Sequence, residues 1–324
     1  MIVMSRSTVP RRATVLLALT APLLTACGGG LGDSAAETGP RVVAAFYPLE
    51  YVAERVAGEH AQITNLTSPG ADSHDLELTV RQTAELSEAD LVVYLEDYQP
   101  AVDGAVDQNG PEHVLQVTDV VELAESGAEG GDHADEDDHA GETEEEHAEH
   151  AGEGDPHFWL DPVRLGEVAA AFAEKMAEID PDHAEAYDAN AEELQADLRA
   201  LDQEYEQGLA DCALDTVVVS HDAFGYLTKY GVHFEAIAGL SPDVEPSPAH
   251  LAELQDLIRS EGVSTVFSET LASPAMAESL ASDLGLETGV LDPVEGLSEE
   301  TAGEDYLSLM RTNLERLQRA NDCT

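Results

Sequence analysis

Three histidines and two acids in this chain stand where proteins place reactive groups. His74 lies in the turn-rich stretch Gly70-Ala71-Asp72-Ser73-His74-Asp75, beyond an apolar run. His221 directly follows Val217-Val218-Val219-Ser220, with a helix expected just after it, and Asp292 follows Gly289-Val290-Leu291 in the same way. His157 sits in Asp155-Pro156-His157-Phe158-Trp159-Leu160-Asp161-Pro162, ahead of a long helix-forming stretch. Three imidazoles and one carboxylate brought from separate loops make a closed, four-coordinate N₃O shell of the kind zinc accepts. Imidazole binds metal only when neutral, and a helix N-terminus beside His221 disfavours its charged form. Glu269, in Val266-Phe267-Ser268-Glu269, ends another apolar run. It is assigned a supporting role, hydrogen-bonding a ligand, with a helix-capping or surface acid as the other reading. Asp75 and Asp222 follow their histidines directly and serve only if the loops turn them back. Taken singly, each histidine also fits an ordinary loop or core position, and the pattern alone leaves both readings open.

These residues need elements to position them. Val42 to Phe46, Ile63 to Leu66, Leu91 to Leu95 and Val114 to Val117 read as buried strands, alternating with helical segments such as Pro48 to Ala57 and Val80 to Ala89. The pattern resumes with strands at Thr216 to Ser220, Phe234 to Ile237, Val263 to Phe267 and Thr288 to Leu291. Helices are expected at Ala223 to Tyr230, Pro248 to Ser260, Pro274 to Leu284 and Glu304 to Ala320. The fold class is therefore α/β: two (β/α)₄ lobes with mainly parallel sheets, joined by a long backbone helix, with a metal cleft between them. The N-terminal lobe spans 41–121, its end and the linking helix 156–210, and the C-terminal lobe 211–324. His74, His221 and Asp292 then fall at carboxyl ends of strands, where open α/β sheets bind ligands.

Between the lobes' first parts, residues 122–155 change character. Acids crowd together with Gly, Ala and four histidines, His133, His139, His147 and His150, and no Lys or Arg occurs between Arg81 and Arg164. So charged a segment cannot offset its ordering entropy, and a mobile insertion is expected. It serves either as a solvated loop or as a set of weak, exchanging auxiliary metal sites.

The whole chain carries 14 Lys+Arg against 67 Asp+Glu, a formal charge of −53. That balance excludes nucleic acid as a partner and excludes binding to anionic lipid through a basic patch. The 43% hydrophobic content still supplies a core. Arg6, Arg11 and Arg12 precede the apolar run Ala13 to Leu24, and Leu24-Thr25-Ala26-Cys27 follows. This resembles a bacterial lipoprotein signal (1–26), with Cys27 the lipidated first residue of the mature chain and 27–40 a flexible tether. An exported protein meets an oxidising compartment, so Cys212 and Cys323 are expected to form a disulfide. Neither HExxH, nor Gly-x-Ser-x-Gly, nor a Walker loop occurs, so the local signatures of common metalloproteases, serine hydrolases and NTPases are missing.

Gly70 to Thr79, Asp155 to Pro162, Val217 to Tyr226 and Val290 to Pro293, in this order and with a His/acid-rich insertion ahead of the second, resemble the solute-binding proteins of zinc and manganese ABC transporters. His before Phe-Trp-Leu-Asp-Pro is the most specific element. The resemblance implies one metal held by His74, His157, His221 and Asp292, an ABC permease as partner, and no enzymatic activity. Manganese-type members carry Glu where His221 stands, so the resemblance favours Zn²⁺ over Mn²⁺ or iron, while Cu²⁺ competes by affinity order. The expected protein is an extracytoplasmic, lipid-anchored monomer delivering zinc to an importer. The alternatives are a zinc-dependent hydrolase built on the same histidines and a surface metal buffer or adhesin.

Overall fold

The computed structural model describes residues 39–125, 154–242 and 244–324. The expected signal, most of the tether, Cys27 and the four insertion histidines lie outside the described residues.

The first half builds one parallel sheet from β1 (Arg41–Ala44), β2 (Gln62–Asn65), β3 (Leu91–Tyr94) and β4 (Val114–Gln116), in the order β2-β1-β3-β4. β3 is buried along its whole length, which explains its unbroken apolar run. Between the strands lie α1 (Tyr47–Ala57), α2 (Val80–Ser87) and α3 (Pro100–Asn109). Thr79 opens α2 with a capping box, its hydroxyl accepting from the Gln82 amide while the Gln82 side chain accepts from the Thr79 amide.

The second half repeats this topology with β7 (Thr216–Val219), β8 (His233–Ala236), β9 (Thr265–Ser268) and β10 (Glu287–Val290), ordered β10-β9-β7-β8 and again parallel. Along β7 the side chains alternate. Val217 and Val219 join the large core shared with the first half, whereas Val218 faces a smaller cluster with α6 (Pro248–Glu261) and α7 (Ala275–Leu284). Strand order reverses between β1 and β3 in one sheet and between β7 and β9 in the other, opening a crevice at the carboxyl ends.

The helical stretch after Pro162 folds into two pieces, α4 (Pro162–Ile179) and α5 (Ala184–Gly208). Asp180-Pro181 marks the reversal: the Asp180 carboxylate accepts from Tyr187 Oη at 2.7 Å and lies 2.6 Å from His183 Nδ1. α4 then packs back along α5, with Gln195 Nε2 donating to the Gly166 carbonyl. The 25-residue α5, about 37 Å long, is the linking helix. It reaches α1 through Asn190 to the Val56 carbonyl, and α8 (Tyr306–Ala320) through Tyr205 to the Met310 carbonyl. Cys212, just past α5, is disulfide-bonded to Cys323, just past α8.

Two local features depart from the sequence reading. Residues 225–230 form a 3₁₀ rather than an α-helix. The edges of the acidic insertion form a short antiparallel ribbon, β5 (Ala124–Glu125) with β6 (Gly154–Asp155).

Candidate metal centre

Four side chains meet where the two sheets' carboxyl ends face each other: His74, His157, His221 and Glu295, whose donor atoms all lie within 4.8 Å of one another. His74 comes from the loop between β2 and α2. Gln99 Nε2 holds that loop by donating to the Ser73 carbonyl and to Thr67 Oγ1, and Thr67 Oγ1 donates to the Ala45 carbonyl beyond β1. His157 opens a 3₁₀ turn at 158–160. The Trp159 ring packs edge-on to His157 at 5.2 Å, while its Nε1 donates to the Pro293 carbonyl. His221 follows β7, and Glu269 follows the adjacent β9, so the pair sits at the second sheet's switch point. The Glu269 carboxylate accepts from the His221 amide and from Ser220 Oγ. It also lies 2.7 Å from His221 Nδ1, an ion-pair distance off the hydrogen-bonding angle.

The three imidazoles aim Nε2 at one carboxylate oxygen. Glu295 Oε1 is 3.5 Å from His74 Nε2, 3.3 Å from His157 Nε2 and 3.5 Å from His221 Nε2, and the last two nitrogens are 3.4 Å apart. A tetrahedral zinc site with bonds of about 2.1 Å has donor–donor edges of about 3.4 Å. His74 Nε2 and Glu295 Oε1 are buried without a well-formed hydrogen bond, as atoms whose lone pairs face a common centre would be. The other Glu295 oxygen accepts from Ser73 Oγ at 3.2 Å, leaving Oε1 to point inward. The donor set and its spacing fit zinc.

Charges inside the cluster are mutually tuned. Burial opposes a charge on His221, yet the carboxylates of Glu269 and Glu295 outweigh it and push its pKa up to about 10. For His157 burial likewise acts against the charged form, and Asp155 and Glu295 raise the pKa regardless. Burial would raise Glu295, but the imidazoles of His157, His221 and His74 facing it hold it well below the usual carboxylate range. Beside His221 a cavity of about 200 Å³ opens, lined by Asp72, Ser220, Pro242, Leu271 and Met276 among others.

Asp292 does not join this cluster. Its Oδ1 accepts from the Val294 amide at 2.8 Å and its Oδ2 from Thr270 Oγ1 at 2.7 Å, while Asn313 bonds its backbone on both sides. The carboxylate is spent on shaping the loop after β10, and burial raises its pKa despite the Thr270 and Val294 bonds. Val294, with φ +58°, then turns the chain so that Glu295 faces the histidines. The acid that joins the histidines is therefore three residues beyond the position that strand-end reasoning selects. Asp155 is a further residue of the site, absent from the sequence reading of it: its Oδ1 accepts from the His157 amide at 3.0 Å and lies 2.8 Å from His157 Nδ1. The Asp-x-His spacing around Pro156, an acid two residues ahead of a ring whose amide it can reach, is the signal that could have found it.

The model of the family described as "Zinc-uptake complex component A periplasmic" matches residues 42–320. The chain belongs to this family. Among its relatives, the High-affinity zinc uptake system protein ZnuA of Bacillus subtilis is 34% identical over 308 residues, covering 91% of this chain and 93% of that one. The Zinc-binding lipoprotein AdcA of Streptococcus pneumoniae is 34% identical over 320 residues, and the match spans 96% of this chain but only 61% of AdcA. The Zn(II)-bound ZnuA-like domain of that AdcA superposes with a TM-score of 0.70 at 31% identity, over 88% of this chain and 99% of that one. The laminin-binding protein Lmb of Streptococcus agalactiae, titled a bifunctional protein with adhesin and metal transporting activity, gives a TM-score of 0.74 at 28% identity, covering 87% and 99%. Family membership fits the paired parallel sheets and the N₃O cluster already described.

Proposed function

We propose that this protein captures Zn²⁺ outside the cytoplasm with His74, His157, His221 and Glu295 and hands it to the permease of an ABC importer. The observation that carries this reading is that Glu295 Oε1 lies 3.3 to 3.5 Å from all three Nε2 atoms and that those of His157 and His221 are 3.4 Å apart, spacings that match the edges of a zinc tetrahedron, with all four donors within 4.8 Å of one another. All four positions are filled by side chains, so none is kept for the water that a zinc hydrolase activates, and this favours binding over catalysis. The family's periplasmic description and the disulfide Cys212–Cys323 support an extracytoplasmic address. The lipoprotein-type motif ending at Cys27 supports a lipid anchor, which would keep captured zinc at the membrane that holds the permease. His74 is presented by the first half and His221 and Glu295 by the second. Binding therefore ties the halves together, and the permease would read that tied shape.

Elemental analysis and chelator competition test the proposal. Purified protein should hold one tight zinc per chain, and His221→Ala should weaken it by at least about 100-fold, since even outer-shell partners commonly cost 10- to 100-fold. Deleting residues 132–150, with the insertion histidines, should leave the tight site unchanged. Equal loss in both variants would place the principal site in the insertion and overturn the assignment.

A further inference from the structure

His157 is held by a seat to which the other half of the chain contributes. Asp155 is buried, and its Oδ1 faces both the amide and Nδ1 of His157. Two consecutive residues of the segment after His221 fit around Asp155. A Cβ added to Gly225 would stand 2.8 Å from Asp155 Oδ2, closer than ordinary contact allows. Gly225 has no left-handed backbone requirement, so what a side chain there would displace is the Asp155 carboxylate. Tyr226 Oη donates to the Asp155 carbonyl at 2.7 Å and accepts from the Ala124 amide at 2.9 Å, fastening both strands of the β5–β6 ribbon at once. Arg164 stacks over the Tyr226 ring at 5.3 Å and donates to the Glu122 carbonyl, closing the seat from the α4 side.

The geometry points to Gly225, Tyr226 and Asp155 as a positioning device that fixes Nε2 as the ligating nitrogen of His157 and locks that ring to His221 as a preformed two-imidazole half-site. Asp155 holds the proton-bearing Nδ1, which leaves Nε2 free to face the metal. Because Gly225 and Tyr226 lie four and five residues beyond His221, the loop that delivers one ligand also orients the other. The Nε2 atoms of the two rings stand 3.4 Å apart as a consequence. This inference rests on the zinc-capture reading, and it concerns residues that touch no metal.

The test uses the full chain and zinc itself, with Gly225→Ala, Tyr226→Phe, Asp155→Ala and the double variant Asp155→Ala/Gly225→Ala. Chelator competition should show zinc held about 10- to 100-fold more weakly in Gly225→Ala, with a smaller loss in Tyr226→Phe and little change in melting temperature. In the Asp155→Ala background the added methyl meets no carboxylate, so Gly225→Ala should cost nothing further. An undiminished loss in that background, or no loss in the wild-type background, overturns the device. Nitrogen-15 spectra of the metal-free protein supply a readout independent of zinc. The His157 Nδ1 resonance should move in Gly225→Ala toward its Asp155→Ala position, and an unmoved resonance rejects the seat. If that resonance moves as expected while wild-type protein holds no zinc, the seat stands and the zinc-capture reading falls.

Discussion

Glu295 and Asp292 are two buried acids in one loop with opposite assignments, and substitution separates them. Glu295→Gln removes the anion at the centre of the cluster and should weaken zinc by more than about 100-fold. Asp292→Ala leaves the Val294 amide and the Thr270 hydroxyl without their acceptor. It should destabilise the protein by about 1–3 kcal/mol in denaturant unfolding, with zinc affinity changed far less. The three histidines were legible because each flanks an apolar run or a distinctive motif. Glu295 was not, because the turn that presents it depends on a left-handed Val294, a conformation that a β-branched residue gives no reason to expect. The cluster's charges also set a pH response. In metal-free protein the raised pKa values of His157 and His221 contribute stability fully below their unfolded value of about 6.5. That contribution is lost as pH climbs, for His221 through its folded pKa of about 10. Glu295, lowered when folded, contributes above its ordinary value and loses that contribution as pH falls through its depressed one. Zinc must displace the imidazolium protons. Calorimetry at pH 7 in buffers of different ionisation enthalpy should therefore show at least about one proton released per zinc, and the melting-temperature gain on adding zinc should grow from pH 6 to 9. Zero release would mean neutral imidazoles in the metal-free protein.

At the level of elements, apolar segments located the strands of both sheets to within a residue or two, most plainly β3 and β7, buried parallel strands written as near-continuous Val and Leu. Pairing order was not legible in that way, because a run records burial and not its neighbour. The segment 225–230, expected within an α-helix, is a 3₁₀ helix whose Gly225 faces the Asp155 carboxylate, a contact distant in sequence. The reversal at Asp180-Pro181 was visible as a break, but that α4 folds back on α5 depends on tertiary packing along both helices. The disulfide bridges the ends of α5 and α8 across a sequence separation of 111 residues. A loop of that size implies about 4–5 kcal/mol in the chain-entropy model. Cys212→Ser with Cys323→Ser should lower stability by about 2–5 kcal/mol in denaturant titrations while zinc stoichiometry stays at one, because the bridge touches none of the four donors. Loss of zinc with full stability retained would contradict that division.

For the molecule as a whole the dominant quantity is the charge of −53. Such an excess attracts cations to the surface and speeds their encounter with the cleft, and it also strains the folded state by self-repulsion. Monovalent salt screens that repulsion over about 10 Å at 0.1 M. The melting temperature should therefore rise as NaCl goes from about 10 mM to 500 mM, while the rate of zinc association falls over the same range. A melting temperature that is flat or decreasing with salt would mean that the acids are individually compensated. Charge density also made residues 122–155 stand out in the sequence, and the short ribbon of Ala124–Glu125 against Gly154–Asp155 gives that stretch a common point of departure and return. Extra chain length inserted between these two strands costs only logarithmically in closure entropy. A fluorescent domain spliced between residues 125 and 154 should leave folding undisturbed while its base rests three residues from His157, which makes this junction a natural port for a genetically encoded zinc reporter.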